Sequence, residues 1–111
     1  MQTEAWQVSR PGSFNSLKRA TFEIPDPEEG ELVVEVKAIG LNFADIFAVW
    51  GLYKAAPKSA FVPGLEFAGI VQKISGPLSR FKEGDRVMGV SRFGSYTRQL
   101  LIDEAHVADL P

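Results

Sequence analysis

The sequence predicts a mainly β domain: a small, curled antiparallel sheet with Greek-key-like connections. Three observations lead there. Short strand-like runs alternate with Gly/Pro punctuation, and there are too few long helical crossovers for a parallel αβ unit. The chain has 111 residues, 45% apolar and 23% charged, which suits one folded domain and leaves no space for a second.

Each element follows from local chemistry. Thr3 to Val8 is the first candidate strand, stopped at Pro11-Gly12. Ala20 to Ile24 is the second, and Pro25-Asp26-Pro27-Glu28-Glu29-Gly30 ends it by removing backbone donors and supplying a turn glycine. Leu32 to Ile39 alternates most cleanly: Val34, Val36 and Ala38 share one face, Glu35 and Lys37 the other. Asn42 through Trp50 changes period. Phe43, Ile46, Phe47 and Trp50 recur at helical spacing, Asn42 suits an N-cap and Asp45 falls at N3. Gly51 permits a turn, and Lys54 to Lys58 reads as loop. Phe67 to Ile74 is another strand, in which Gly69 suits a close backbone approach or a bend. Arg86 to Gly89, Ser95 to Ile102 and a brief run near His106 to Ala108 complete the set.

Composition narrows the function. Net charge is −2 with no basic run, so neither nucleic acid nor an anionic membrane is an expected partner. Zero cysteines exclude disulfides and thiolate metal sites. Met1 to Trp6 carries an early acid and no long apolar run, unlike a secretory leader, and no segment approaches the roughly 20 apolar residues of a membrane span. The expected setting is cytoplasmic, without membrane insertion. No serine sits in a nucleophile-elbow motif, and no Gly-rich dinucleotide fingerprint occurs.

The motifs that carry chemistry come in a fixed order: Gly40-Leu41-Asn42-Phe43-Ala44-Asp45, then Gly51-Leu52-Tyr53, then Pro63-Gly64-Leu65-Glu66 with Gly69, then Gly84-Asp85-Arg86-Val87. Together they resemble the N-terminal GroES-like domain of the medium-chain dehydrogenase/reductase superfamily, in its zinc-independent quinone-oxidoreductase-like branch. The resemblance spans nearly the whole chain. It implies a GroES-like partly open β-barrel with short helices, followed by a Rossmann nucleotide-binding domain. Residues 1–111 then read as the substrate-side domain, separated from that partner.

Zinc relatives place a cysteine where Asn42 stands and a histidine where Leu65 stands. An amide and an alkyl group do not replace those ligands, so no metal is expected. In zinc-independent relatives the asparagine matching Asn42 borders the nicotinamide and substrate; its amide can orient a carbonyl or carboxamide without adding charge, while helix capping is the plain structural alternative. Tyr53 matches the family's Gly-x-Tyr tyrosine and is the catalytic candidate, a phenol able to donate a proton after hydride transfer; packing at the barrel mouth is its structural alternative. Asp45 and Glu66 are orienting candidates. For Asp45 capping is the favoured reading, and for Glu66 a hydrogen bond or salt bridge inside the domain. Phe43, Phe47 and Trp50 form either an aromatic wall for a quinone or enone or, as the helical spacing favours, part of the core. Val49 stands where many relatives carry a basic residue, which weakens any anion grip near the helix. His106 is isolated, and Asp85 reads as a turn residue.

The resemblance implies an intact parent that reduces quinones or α,β-unsaturated carbonyls with NADPH or NADH, NADPH favoured. That parent is expected to be a homodimer, and the 111-residue piece alone is expected to lack activity. The alternative is a non-catalytic barrel domain for protein interaction or assembly, since fold alone does not assign function.

Overall fold

A computed structural model describes residues 1–54 and 56–111, and Ala55, within the expected Lys54 to Lys58 loop, lies outside the described residues. Among the described residues, seven strands and one short α-helix make up the regular structure: β1 (Gln2–Val8), β2 (Leu17–Glu23), β3 (Glu31–Gly40), α1 (Phe43–Val49), β4 (Glu66–Ile74), β5 (Arg86–Val90), β6 (Gln99–Asp103) and β7 (Val107–Asp109). Two 3-10 turns, Phe14–Ser16 and Glu104–His106, precede β2 and β7.

Strands β1 and β2 form an antiparallel pair, and the other five form a sheet of order β6-β3-β4-β5-β7. Strands β3, β4 and β5 run consecutively, and β6 returns beside β3. This 4-1-2-3 order is the Greek key expected from the sequence. The sheet does not close: single bridges, Ala5 to Thr97 and Val8 to Phe61, tie β1 to the rest. The fold is thus mainly β and partly open.

One face of the larger sheet buries Leu32, Val34, Phe67, Val71, Phe81, Val87, Leu100, Ile102 and Val107 in a continuous core. Each such side chain contributes about 1.5–3 kcal/mol relative to exposure. A second cluster, Val8, Ala48, Val49, Ala56 and Phe61, packs the inner side of α1 against β1.

The alternation expected for β3 holds only in part. Val34 is buried and Val36 packs on the core, but Ala38 is exposed. The register explains this: Val36 pairs with Gly69 and Ala38 with Ala68, so Lys37 is an inserted residue and every side chain beyond it changes face. A second irregularity, between Val33 and Val34, leaves Gln72 extra on β4. Gly69 is the close approach that its position suggested. A Cβ there would stand 2.2 Å from the Glu35 carbonyl oxygen.

The segment expected as strand from Ser95 is irregular until Gln99 but still bonded on two sides. Trp6 N donates to Tyr96 O (2.9 Å), Arg98 N to Glu4 O (2.9 Å) and Val36 N to Arg98 O (2.8 Å). It sews the two-stranded unit to the sheet. The turn before β5 is held as Asp85 predicted: Lys82 N donates to Asp85 Oδ2 at 2.9 Å. Among the described residues, no helix is long and apolar enough to cross a membrane.

Candidate functional site

Helix α1 begins where β3 ends, and its start is built by Asp45. Asn42 is the extended N-cap residue (φ −127°, ψ 155°). Asp45 N donates to the Asn42 carbonyl oxygen at 3.0 Å, and Asp45 Oδ2 accepts from Asn42 N at 3.0 Å. This is the capping role favoured for Asp45 from sequence. The same Oδ2 also accepts from the Tyr96 hydroxyl at 2.8 Å. Asp45 is buried, at 5% exposure, so two donors converge on a carboxylate largely removed from water.

Tyr96 was not singled out from sequence, and it is the residue that joins the motifs. Its backbone N donates to Pro63 O at 2.9 Å, which sets its ring on the Pro63-Gly64 turn. Gly64 has φ +116°, and a Cβ there would stand 2.6 Å from Tyr96 Cδ1. The glycine is therefore required twice, by backbone and by contact. Burial and the Asp45 carboxylate push the Tyr96 phenol well above its ordinary pKa, so it remains a donor.

Beside this triad lies an open groove of about 430 Å³. Phe14, Leu17, Leu41, Phe43, Ile46 and Val49 supply its apolar wall; Asn42, Asp45 and Tyr96 supply its polar groups. Asn42 Nδ2 is buried and has no hydrogen-bond partner among the described residues. An unpaired buried donor costs about 1–3 kcal/mol, and an acceptor in the groove would remove that cost. Among the described residues, no Lys or Arg lines the groove.

The aromatic residues correct the core reading. Phe43 is 81% exposed, Phe47 46% and Trp50 45%, while Asp45, Ala48 and Val49 form the buried side of α1. The reason lies in how little of the helix is covered: at seven residues, α1 is too short to turn three large rings inward as well as its capping acid. Trp50 instead packs edge-on to Phe14, with ring centroids 5.4 Å apart.

The remaining candidates sit elsewhere. Tyr53 is half-buried against the cluster of Val8, Ala48, Val49, Ala56 and Phe61 and does not line the Asn42 groove. Glu66 is exposed and makes no hydrogen bond or ion pair among the described residues, in place of the internal bond expected for it. Its side chain lies across Gly40, its pairing partner, and lines a separate apolar groove of about 700 Å³ with Ile39, Met88, Val90 and the exposed His106. No group of three His, Cys, Asp or Glu side chains suited to a metal ion occurs among the described residues.

Comparison with known proteins agrees with the fold and motifs. The model of the alcohol dehydrogenase GroES-like domain matches residues 28–111. A quinone oxidoreductase of Lama guanicoe is 34% identical over 109 residues, covering 96% of this chain and 33% of its own. Among solved structures, the human synaptic vesicle membrane protein VAT-1 homolog-like protein superposes with a TM-score of 0.92 at 32% identity, covering 100% of this chain and 36% of its own. The Escherichia coli quinone oxidoreductase complexed with NADPH gives 0.87 at 36% identity, covering 97% and 33%. The chain thus spans about a third of these relatives, or 24% of a mouse VAT-1 homolog-like protein. With its matched domain, its open Greek-key sheet and its ordered glycine motifs, the chain belongs to the alcohol dehydrogenase GroES-like domain family, in the quinone-oxidoreductase-like branch of the medium-chain dehydrogenases/reductases.

Proposed function

We propose that this chain is the substrate-side domain of a zinc-independent, NAD(P)H-dependent oxidoreductase that reduces quinones or α,β-unsaturated carbonyl compounds. The observation that carries the reading is Asn42, which lines an apolar groove and whose Nδ2 is buried without a hydrogen-bond partner among the described residues. Such a donor fits a carbonyl or carboxamide oxygen, and it strengthens as negative charge develops on that oxygen. The apolar wall suits a flat, uncharged ring and excludes water. With no cation in the groove lining, the dinucleotide phosphates need a second domain, and the Rossmann partner of the full-length relatives is the fitting one.

A bound nicotinamide supplies the hydride. Asn42 orients the acceptor carbonyl and stabilises the oxyanion that forms on it, Asp45 fixes the backbone from which Asn42 projects, and the exposed ring of Phe43 forms part of the wall. The proton comes from Tyr53 or from water. NADPH is the favoured donor, supported by its presence in the E. coli relative.

The test is to express the chain within its complete reading frame and follow NADPH and NADH oxidation with 1,4-naphthoquinone and cyclohex-2-enone. Turnover that falls about 10²-fold in kcat/KM with Asn42→Ala supports the assignment. No turnover with either nucleotide across both substrate classes overturns it. A second reading, a non-catalytic interaction domain, draws on the exposure of Leu41 (78%), Phe43 (81%) and Leu52 (67%). Saturable binding of one protein partner through these side chains, by a complete protein that turns over nothing, would select it.

A further inference from the structure

We infer that Tyr96 is a positioning residue for the carbonyl-binding amide: through Asp45 it holds the start of α1 that presents Asn42 to the groove. This rests on the proposed function and goes beyond it, because Tyr96 belongs to none of the motifs that identify the family here.

Three facts converge. Asp45 has one oxygen that receives both the Tyr96 hydroxyl, at 2.8 Å, and the Asn42 backbone N–H, at 3.0 Å. Tyr96 is itself anchored on a different part of the chain, the Pro63-Gly64 turn, by the 2.9 Å bond to Pro63 O and by the ring contact that only a glycine at 64 allows. Asn42 Nδ2 is left buried without a partner at the edge of the same groove. The phenol therefore links the turn leading into β4 to the helix start that carries the donor. Without it, the only other bond to Asp45 Oδ2 among the described residues is local, from Asn42 N, and the helix start loses this hydrogen-bonded tie to the rest of the domain. Apart from Asn42 and Asp45 themselves, the groove walls that Tyr96 leaves in place are apolar, so none of those residues substitutes as a donor to Asp45.

The inference separates Tyr96 from a group that touches substrate. Tyr96→Phe keeps the ring and its packing on Gly64 and removes only the hydroxyl. In the complete protein, Tyr96→Phe is expected to lower kcat/KM for cyclohex-2-enone by about 10- to 100-fold, the cost of misplacing an orienting group. In an Asn42→Ala background the same change is expected to cost less than about 2-fold, because there is no amide left to position. Within the 111-residue chain, hydrogen exchange at Asn42 N is expected to accelerate in Tyr96→Phe, with exchange in β3 and β4 unchanged.

The outcomes are distinct. Wild-type turnover in Tyr96→Phe, or losses for Tyr96→Phe and Asn42→Ala that simply multiply, overturns the positioning role while leaving the proposed reaction intact. Turnover that is unaffected by Asn42→Ala overturns the functional reading and this inference with it. Faster exchange throughout β3 and β4 as well as at Asn42 overturns it too, since the hydroxyl would then support the fold as a whole.

Discussion

Gly64→Ala is the sharpest test of how the site is assembled. The substitution meets two penalties. At φ +116° a residue with a Cβ is strained by about 1–3 kcal/mol. The new methyl would also stand 2.6 Å from Tyr96 Cδ1 and 2.9 Å from Ser95 Cβ. Both neighbours are held, Ser95 by burial and Tyr96 by its bonds to Pro63 and Asp45, so the overpacking adds about 1–3 kcal/mol. Reduced entropy of the unfolded chain returns about 0.4–1 kcal/mol. The net loss is about 1–5.5 kcal/mol, and its middle value of about 3 kcal/mol lowers Tm by roughly 12–24 °C for a domain of this size. Gly30→Ala is the matched control: φ is +86°, yet nothing lies within 4 Å of the added Cβ, so only the backbone cost remains. Urea and thermal melts of both variants isolate the ring contact, and the loss in Gly64→Ala/Tyr96→Ala should fall short of the sum of the two single losses by about 1 kcal/mol. If Gly64→Ala and Gly30→Ala differ by less than about 0.5 kcal/mol, Tyr96 is not seated on residue 64 and the account of the site is wrong.

Glu104→Ala removes the acceptor for Ser79 Oγ (3.1 Å) and Arg80 N (2.8 Å), and should lower stability by about 1–3 kcal/mol in urea melts. Phe43→Ser, at a side chain 81% exposed, should change stability by no more than about 0.5 kcal/mol while reducing binding of the dye ANS to the native chain. The Tyr96 phenol has a raised pKa in the folded state, so its contribution to stability is complete below the ordinary tyrosine pKa of about 10 and is lost as pH rises through the folded value. Melts between pH 9 and 11 should therefore show a decline that Tyr96→Phe makes shallower.

The sheet was legible in the sequence because its signals are local. Pro25 to Gly30 and Ser75-Gly76-Pro77 mark strand ends by removing donors or favouring turns, and β4 and β5 begin within a residue of where alternation and punctuation place them. The irregularities were not legible. Nothing local distinguishes Lys37 from its neighbours, and its status as an inserted residue is decided by the partner strand, where Gly69 lets the Glu35 carbonyl approach. Ala38 leaves the core for that reason alone.

The site divides along the same line. Asn42 and Asp45 lie three residues apart, within one helical turn, so spacing sufficed to connect them. Tyr96 lies 51 residues from Asp45, in a segment that looked like ordinary strand, and only the fold brings the hydroxyl to the carboxylate. One signal was present all along. Gly64 is followed by an apolar residue and an acid in a run that needs no flexibility for a strand, so a glycine there implies something packed on its backbone. The aromatic residues of α1 show the opposite failure. Their spacing fits an inward face, but a seven-residue helix already committed to burying Asp45, Ala48 and Val49 has no second face to bury, and Phe43, Phe47 and Trp50 are left outward, with Phe43 in the groove lined by Asn42. An unpaired amide and an uncovered Phe43 ring at one helix start are costs to an isolated domain, and a flat carbonyl compound enclosed there by a second domain would offset both.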